Sequence, residues 1–315
     1  MMSMNLFKQI KKRGGSLHYF AVVLIIWGVM FGAVSLRGQE YANSWNNGNL
    51  AIEVDIRDVT WAGSRFIGVG LQGVCYVSST GVNWVKRSTP LSTSDHLFGV
   101  CYDGSSTVVA VGRDQVILYS EDVGETWKIA KARNSENVDD MYKVAYGNGI
   151  FVAQDEGGGI WTSADGKTGW TKYMLGGSAR CIAFGNGYFM IGCAGTGAIY
   201  RSATGEQGSW SVVGHLGEAV RGIAYGNNKW LAVGRNIATA SATGTNWVTR
   251  IKLVEDYNII DQLYCCATAP DTFIAAGEHG FMLNSADGIT WREGNSHTKR
   301  FIFAMNYGSG ADVLA

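Results

Sequence analysis

The eight residues Ser120-Glu121-Asp122-Val123-Gly124-Glu125-Thr126-Trp127 read S-x-D-x-G-x-T-W, and weaker copies return along the whole chain. Ser163-Ala164-Asp165-Gly166 leads to Trp170, and Ser285-Ala286-Asp287-Gly288 leads to Trp291. Three further copies put Thr in the Asp position: Ser78 to Trp84, Ser202 to Trp210 and Ser241 to Trp247. Each residue type suits a tight turn between two strands. The Asp or Thr oxygen can accept bonds from backbone N–H groups two residues on, and Gly adopts positive φ without a Cβ clash. The Trp then opens the next strand with a large surface to bury. The motif is first a folding device, and its acidic residues need no catalytic role.

Tryptophans 45, 84, 127, 170, 210, 247 and 291 stand 37 to 44 residues apart, and between them the same text recurs. Tyr142-Lys-Val-Ala-Tyr-Gly-Asn-Gly-Ile-Phe-Val-Ala is repeated at Arg180 and again at Arg221. Each copy reads as a strand, a Gly-Asn hairpin and a second strand. A third strand enters the S-x-D-x-G turn and a fourth follows the Trp, which makes one four-stranded propeller blade per repeat. Six first strands are expected near residues 58, 98, 142, 180, 221 and 264. Two fragments remain: Trp45 to Glu53, reading as an outer strand, and Phe301 to Ala315, reading as the first two strands of another blade. Together they predict a seventh blade closed by both termini, with six blades plus loose ends as the alternative.

On these motifs the chain resembles the Asp-box (BNR) β-propellers over roughly residues 45 to 315. That group includes sialidases, lectins, sulfur- and sugar-active enzymes and photosystem II assembly-factor propellers. The resemblance implies an all-β propeller and is poor for function, because one fold carries many unrelated sites.

Composition agrees with many short strands joined by glycine turns: 315 residues with 43 Gly, 2 Pro and 46% hydrophobic residues. The formal net charge is zero, but no acidic residue precedes Glu40, whereas Lys8, Lys11, Lys12 and Arg13 are basic. Setting those four aside leaves 22 basic against 26 acidic residues, the wrong sign for a general nucleic-acid binder. The basic cluster precedes an apolar run, residues 19–36, expected to form a hydrophobic helix, with small residues near its end. Residues 1–37 therefore read as a signal peptide or membrane anchor, and residues 38–315 as an exported propeller, periplasmic, extracellular or held at the membrane, and expected to be a monomer. Cys101, Cys181, Cys265 and Cys266 fall in one strand type of three repeats, with Cys75 and Cys193 elsewhere. They read as small buried residues rather than disulfides.

Loops joining a fourth strand to the next first strand gather on one face of a propeller, opposite the S-x-D-x-G turns. The residues opening the inner strands therefore ring the channel mouth: Arg57, Phe98, Tyr142, Arg180, Arg221, Tyr264 and Phe301. Arginine forks pair with carboxylate, sulfate or phosphate, and flat rings stack on sugars or apolar groups. Neighbouring loops add Asp95, His96, Asp139, Asp140, Asp155, Glu156, Glu278 and His279, and the plainer alternative is that the arginines pair with these carboxylates and cap the channel. The sialidase resemblance implies an arginine triad, for which Arg57, Arg180 and Arg221 are the positional matches. The Arg-Ile-Pro motif of that family is absent, since Arg57 is followed by Asp-Val, and no nucleophile carries over. Gly166-Lys167-Thr168 lacks the Gly a phosphate-binding loop needs, and the five histidines and six cysteines show no metal-ligand spacing. The expectation is a non-catalytic propeller, without cofactor or metal, binding a glycan, an anionic ligand or a protein segment at this mouth. A glycan-active hydrolase or lyase and an assembly-factor-like scaffold are the alternatives.

Overall fold

The computed structural model describes residues 54–134, 139–257, 262–309 and 313–314. They form six antiparallel four-stranded sheets, β1 to β24 in chain order, each with its strands side by side in sequence order. Blade 1 contains β1 (Ile56–Trp61), β2 (Phe66–Gly70), β3 (Cys75–Ser78) and β4 (Val85–Arg87). The first strands of blades 2 to 6 are β5 (Leu97–Tyr102), β9 (Met141–Gly147), β13 (Ala179–Gly185), β17 (Val220–Gly226) and β21 (Leu263–Ala269). These agree with the six first strands expected from the repeat. The fold is thus a propeller of six complete blades around an axial channel.

A complete seventh blade is not among the described residues. The chain after blade 6 runs along the axis, where Ala304, Met305, Asn306 and Tyr307 line the channel beside the six inner strands. It then forms a two-stranded pair, β25 (Tyr307–Gly308) with β26 (Val313–Leu314). The expected outer strand at 45–53 and the expected helix at 19–36 lie outside the described residues. Among those described, no helix is long and apolar enough to cross a membrane. One short helix not foreseen from the repeat, α1 (Leu253–Tyr257), sits in the loop between blades 5 and 6.

The S-x-D-x-G turns carry the bonds their residue types predict. Ser120 Oγ accepts the Gly124 N–H at 2.9 Å, and Asp122 accepts the Thr126 N–H at 2.8 Å and its hydroxyl at 2.6 Å. Asp165 and Asp287 repeat the pattern with Thr168 and Thr290. The turn also joins blades. Gly166 (φ 72°) lies so close to blade 2 that a Cβ would sit 2.5 Å from Val109 Cγ2. Gly124 stands in the same way against Ile67 and Val77 of blade 1. Trp127, 7% exposed, fills the core between the same two blades with Ile67, Val69 and Val77. Trp291 is equally buried between blades 5 and 6, while Trp84, Trp170, Trp210 and Trp247 are half-buried. Burying a Trp removes a large apolar area from water, so these interfaces supply much of the packing energy.

Blade 5 departs from the repeat. Its third strand pairs Trp230 with Ala240, whereas the other blades pair the equivalent residue with the motif Ser, as in Phe273 with Ser285. Gly244 N–H consequently bonds the Ser241 carbonyl instead of its hydroxyl, and Thr243 Oγ1 faces the hydroxyls of Ser241 and Thr245. The expected Thr-to-backbone bond is replaced by a hydroxyl cluster, because the register slip carries the Ser out of reach.

Candidate functional site at the channel mouth

Six of the seven predicted mouth residues share a backbone feature that the sequence reading did not foresee. In each inner strand the register slips by one residue near its start, at Ile56/Asp58, Leu97/Gly99, Met141/Lys143, Ala179/Cys181, Val220/Gly222 and Leu263/Cys265. The skipped residues are Arg57, Phe98, Tyr142, Arg180, Arg221 and Tyr264. Each is the unpaired residue of a β-bulge, a device that re-aims a side chain and bends the strand. In four of the six blades the strand opposite comes very close at the bulge. A Cβ on Gly112 would lie 1.9 Å from the His96 carbonyl oxygen, and Gly70, Gly234 and Gly277 repeat that approach. Those glycines ending the second strands were the sequence signal for the bulges.

The bulged side chains form cation–π pairs across blade boundaries. The Arg180 guanidinium lies 4.8 Å from the Tyr142 ring centroid, and Arg221 lies 5.3 Å from that of Tyr264. Arg57 lies 4.1 Å above Phe303, not Phe301. Phe303 was missed by the sequence reading, although it follows Phe301 by two residues. Phe301 stacks on Phe303 at 5.9 Å with an 11° interplanar angle and is 45% exposed. Phe98 and Tyr142 meet at 5.7 Å, and Tyr264 reaches both phenylalanines at about 6 Å. The mouth therefore has two aromatic clusters, Phe98–Tyr142 and Tyr264–Phe301–Phe303, with an arginine over each and Arg57 over Phe303.

The plainer alternative holds in part. Arg180 Nη2 bonds Glu156 Oε1 at 2.8 Å, Arg57 Nη2 bonds Asp55 at 3.4 Å, and Arg221 pairs with the neutral Gln262. These bonds leave donors unused. Arg57 Nε and Arg180 Nε are buried with no acceptor among the described residues. A buried donor left unpaired costs about 1–3 kcal/mol, which a ligand acceptor would recover. Tyr264 donates its hydroxyl to Glu278 Oε1 at 2.7 Å. Burial, reinforced by that carboxylate, raises the Tyr264 pKa, and burial raises that of Tyr142.

Other loop carboxylates are committed to structure. Asp155, fully buried, accepts Gly159 N–H, Trp161 Nε1–H and the Lys172 ammonium. Asp95 and Asp114 share Arg133. Below the mouth the channel encloses about 400 Å³ and carries Asp58 and Lys143 on its wall. Among the described residues no three His, Cys, Asp or Glu side chains converge as a metal site.

No known protein family and no curated protein matches the chain. Solved structures do. YCF48 bound to D1 peptide superposes with a TM-score of 0.63 at 18% identity, over 80% of this chain and 85% of that one. YCF48 from Cyanidioschyzon merolae gives 0.64 at 15% identity, over 84% and 94%. A streptogramin B lyase gives 0.69 at 13% identity, over 84% and 92%. At these identities the likeness establishes one thing, the β-propeller fold.

Proposed function

We propose that this propeller binds a protein segment bearing carboxylate groups at the channel mouth, without turning it over. The observation that carries the reading is the pair of buried, unpaired Nε–H groups of Arg57 and Arg180, set among half-buried aromatic rings and the exposed Phe301. Arginine donors of this kind meet carboxylates edge-on, and the rings accept apolar side chains or sugar faces between them. YCF48 bound to D1 peptide is a precedent of the same fold for binding a peptide. The bonded S-x-D-x-G turns support placing the repeats in the Asp-box group. Export through residues 19–36 and a seventh blade completed by residues 45–53 belong to the same proposal.

A second reading is favoured by one contact. Tyr264 hydrogen-bonded to Glu278, with Arg221 over its ring, is a nucleophile-and-base geometry suited to an anionic glycoside. Two features oppose it. Burial raises the Tyr264 pKa, which disfavours the phenolate, and Glu156 is engaged in an ion pair with Arg180.

Acidic-peptide arrays, glycan arrays and fluorogenic sialosides, run beside an Arg180→Ala/Arg221→Ala double variant, decide between these readings. Peptide binding lost in the variant is the expected result. Glycoside turnover abolished by Tyr264→Phe would establish the enzyme instead, and equal peptide binding by both proteins would remove the mouth from consideration.

A further inference from the structure

On the face opposite the mouth, one blade junction holds a two-cation clamp around a carboxylate. Glu125, next to Gly124 in the turn of blade 2, is gripped by Arg65 and by Arg87, whose Nε lies 2.5 Å from Glu125 Oε2. Arg65 immediately precedes the buried Phe66 of the second strand, and Arg87 is the third residue after Trp84. The bond from Arg87, then that from Arg65, holds the Glu125 carboxyl below its ordinary pKa.

The same two positions are cationic again in blade 5. Lys229 immediately precedes the buried Trp230, and Arg250 is the third residue after Trp247. The first hairpins correspond in register, Trp61 with Phe66 and Tyr225 with Trp230; in the fourth strands Arg87 pairs with Cys75, whereas Arg250 is the residue skipped at a bulge between Thr249 and Ile251. In blades 2, 3, 4 and 6 these positions hold Thr107 and Ala130, Ile150 and Tyr173, Tyr188 and Val213, and Thr272 and Gly294, so no other blade has the pair. The turn of blade 6 docks here as that of blade 2 docks on blade 1. A Cβ on Gly288 would lie 3.5 Å from Thr239 Cγ2 and 3.6 Å from Lys229 Cδ. Yet the residue after Gly288, in the place of Glu125, is Ile289, which is 49% exposed. The clamp has its cations and lacks its carboxylate.

The two cations are held by neutral groups. Lys229 Nζ donates to the Asp287 carbonyl at 2.6 Å, and Arg250 Nε donates to Thr239 Oγ1 at 2.8 Å. Neither makes an ion pair with a described carboxylate. Both line a cavity of about 340 Å³ whose other polar walls are Asn228, Thr239, Ser241 and Asn246. The register slip of blade 5 lies on the wall of this cavity, where the Ser241 hydroxyl has lost its usual turn bond.

We propose that Lys229 and Arg250 form a carboxylate-binding site at the junction of blades 5 and 6, filled from outside by a group that Glu125 supplies internally at the junction of blades 1 and 2. The ligand class is a carboxylate, carried either by an acidic peptide side chain or by a small free acid. The Arg250 fork offers its terminal N–H groups, Lys229 adds a point charge, and the Ser241 and Asn246 side chains offer further hydrogen bonds. The site is independent of the mouth, and neither proposal rests on the other.

The test is an NMR titration of the full chain, reading Lys229 and Arg250 side-chain shifts, with N-acetyl-hexaglutamate, citrate and inorganic phosphate as separate probes. Saturable shifts with a carboxylate probe are expected, weakened at least tenfold in Arg250→Gln and unchanged in Arg221→Gln. Shifts with hexaglutamate alone identify a peptide source, and shifts with citrate alone a free acid. Ile289→Glu supplies the missing group within the chain, so it should abolish binding and melt no lower than wild type, which also guards against an unfolded Arg250 variant. Absence of saturable shifts with both carboxylate probes, a phosphate response alone, or binding that survives Ile289→Glu would overturn the proposal.

Discussion

Asp58 Oδ1 lies 2.5 Å from Lys143 Nζ, although blade 2 stands between the two blades that carry them. The other Asp58 oxygen accepts the N–H of Val100 in that intervening blade, so one carboxylate ties three inner strands together. Asp58 is 8% exposed, and an uncompensated charge there is costly. Lys143→Met should therefore destabilise by about 2–3 kcal/mol, below the 3–5 of a fully buried pair because the lysine retains some solvent. Asp58→Asn added to Lys143→Met should recover part of that loss. Urea unfolding of the four proteins of the cycle measures both, and a single-variant cost under about 0.5 kcal/mol would show that the pair is not a tie.

The turn motif should rank its residues by what they bury. Asp122→Ala removes bonds within an exposed turn and should cost about 1 kcal/mol, as lost helix caps do. Trp127→Ala empties the core between blades 1 and 2 and should cost about 3–5 kcal/mol. Gly166→Ala forces a Cβ into Val109 at positive φ and should cost more than Asp122→Ala. Chemical denaturation tests the order, and a larger loss for Asp122→Ala than for Trp127→Ala would reverse the reading of the motif.

Acid should loosen these turns in a defined window. The Thr168 N–H, which outweighs the effect of burial, and then the Lys167 N–H lower the Asp165 pKa to about 2. Asp122 and Asp287 are also lowered; burial opposes their ionised forms, but turn N–H and hydroxyl donors prevail. A depressed folded pKa means stability that is complete above the unfolded value near 4 and is lost as pH falls toward 2. Thermal melts between pH 5 and 2 should show that decline. In Asp165→Asn the slope should be shallower, and an unchanged slope would mean that Asp165 is not among the linked groups.

None of the six thiols is disulfide-bonded, and burial pushes all of them up, Cys75, Cys181 and Cys265 to about 12 and Cys193 to about 11. The thiolate is the reactive form, so the native protein at pH 8 should react with a thiol reagent only slowly and release six equivalents once denatured. Rapid native labelling of one site would single out Cys266, the least buried of them.

The blades were legible because a repeated sequence fixes period, strand count and turn chemistry together. The ring of Arg57, Arg180 and Arg221 with its aromatics followed from position alone, since equivalent residues of equivalent strands must share a face of the molecule. What position did not give was aim. The bulges turn each side chain, and in four blades they bring the backbone close to Gly112 and its equivalents, which a hydrophobic pattern does not record. Phe303 escaped notice because its segment is not a repeat of the strand text, and its one backbone bond, from Ile302 N–H to the Gly277 carbonyl, is not legible in a hydrophobic pattern. The slip in blade 5 was invisible for the opposite reason: Ser241 to Trp247 spells the motif well, and only the pairing of Trp230 with Ala240 betrays the change.

Every turn glycine described here reaches backward, into the blade just made and not the one to come. Gly124 meets Ile67, Gly166 meets Val109, Gly205 meets Val152 and Gly244 meets Met190. During synthesis each junction can therefore be sealed as soon as its second member has emerged, without waiting for distant chain. The long-range step is the closing of the circle, where Gly308 comes against Trp61 and Phe66. A ring so assembled joins each blade to its neighbour in sequence and concentrates the longest loop closure at one seam, beside blade 1. That seam is where strain, slow folding steps and sensitivity to truncation should gather.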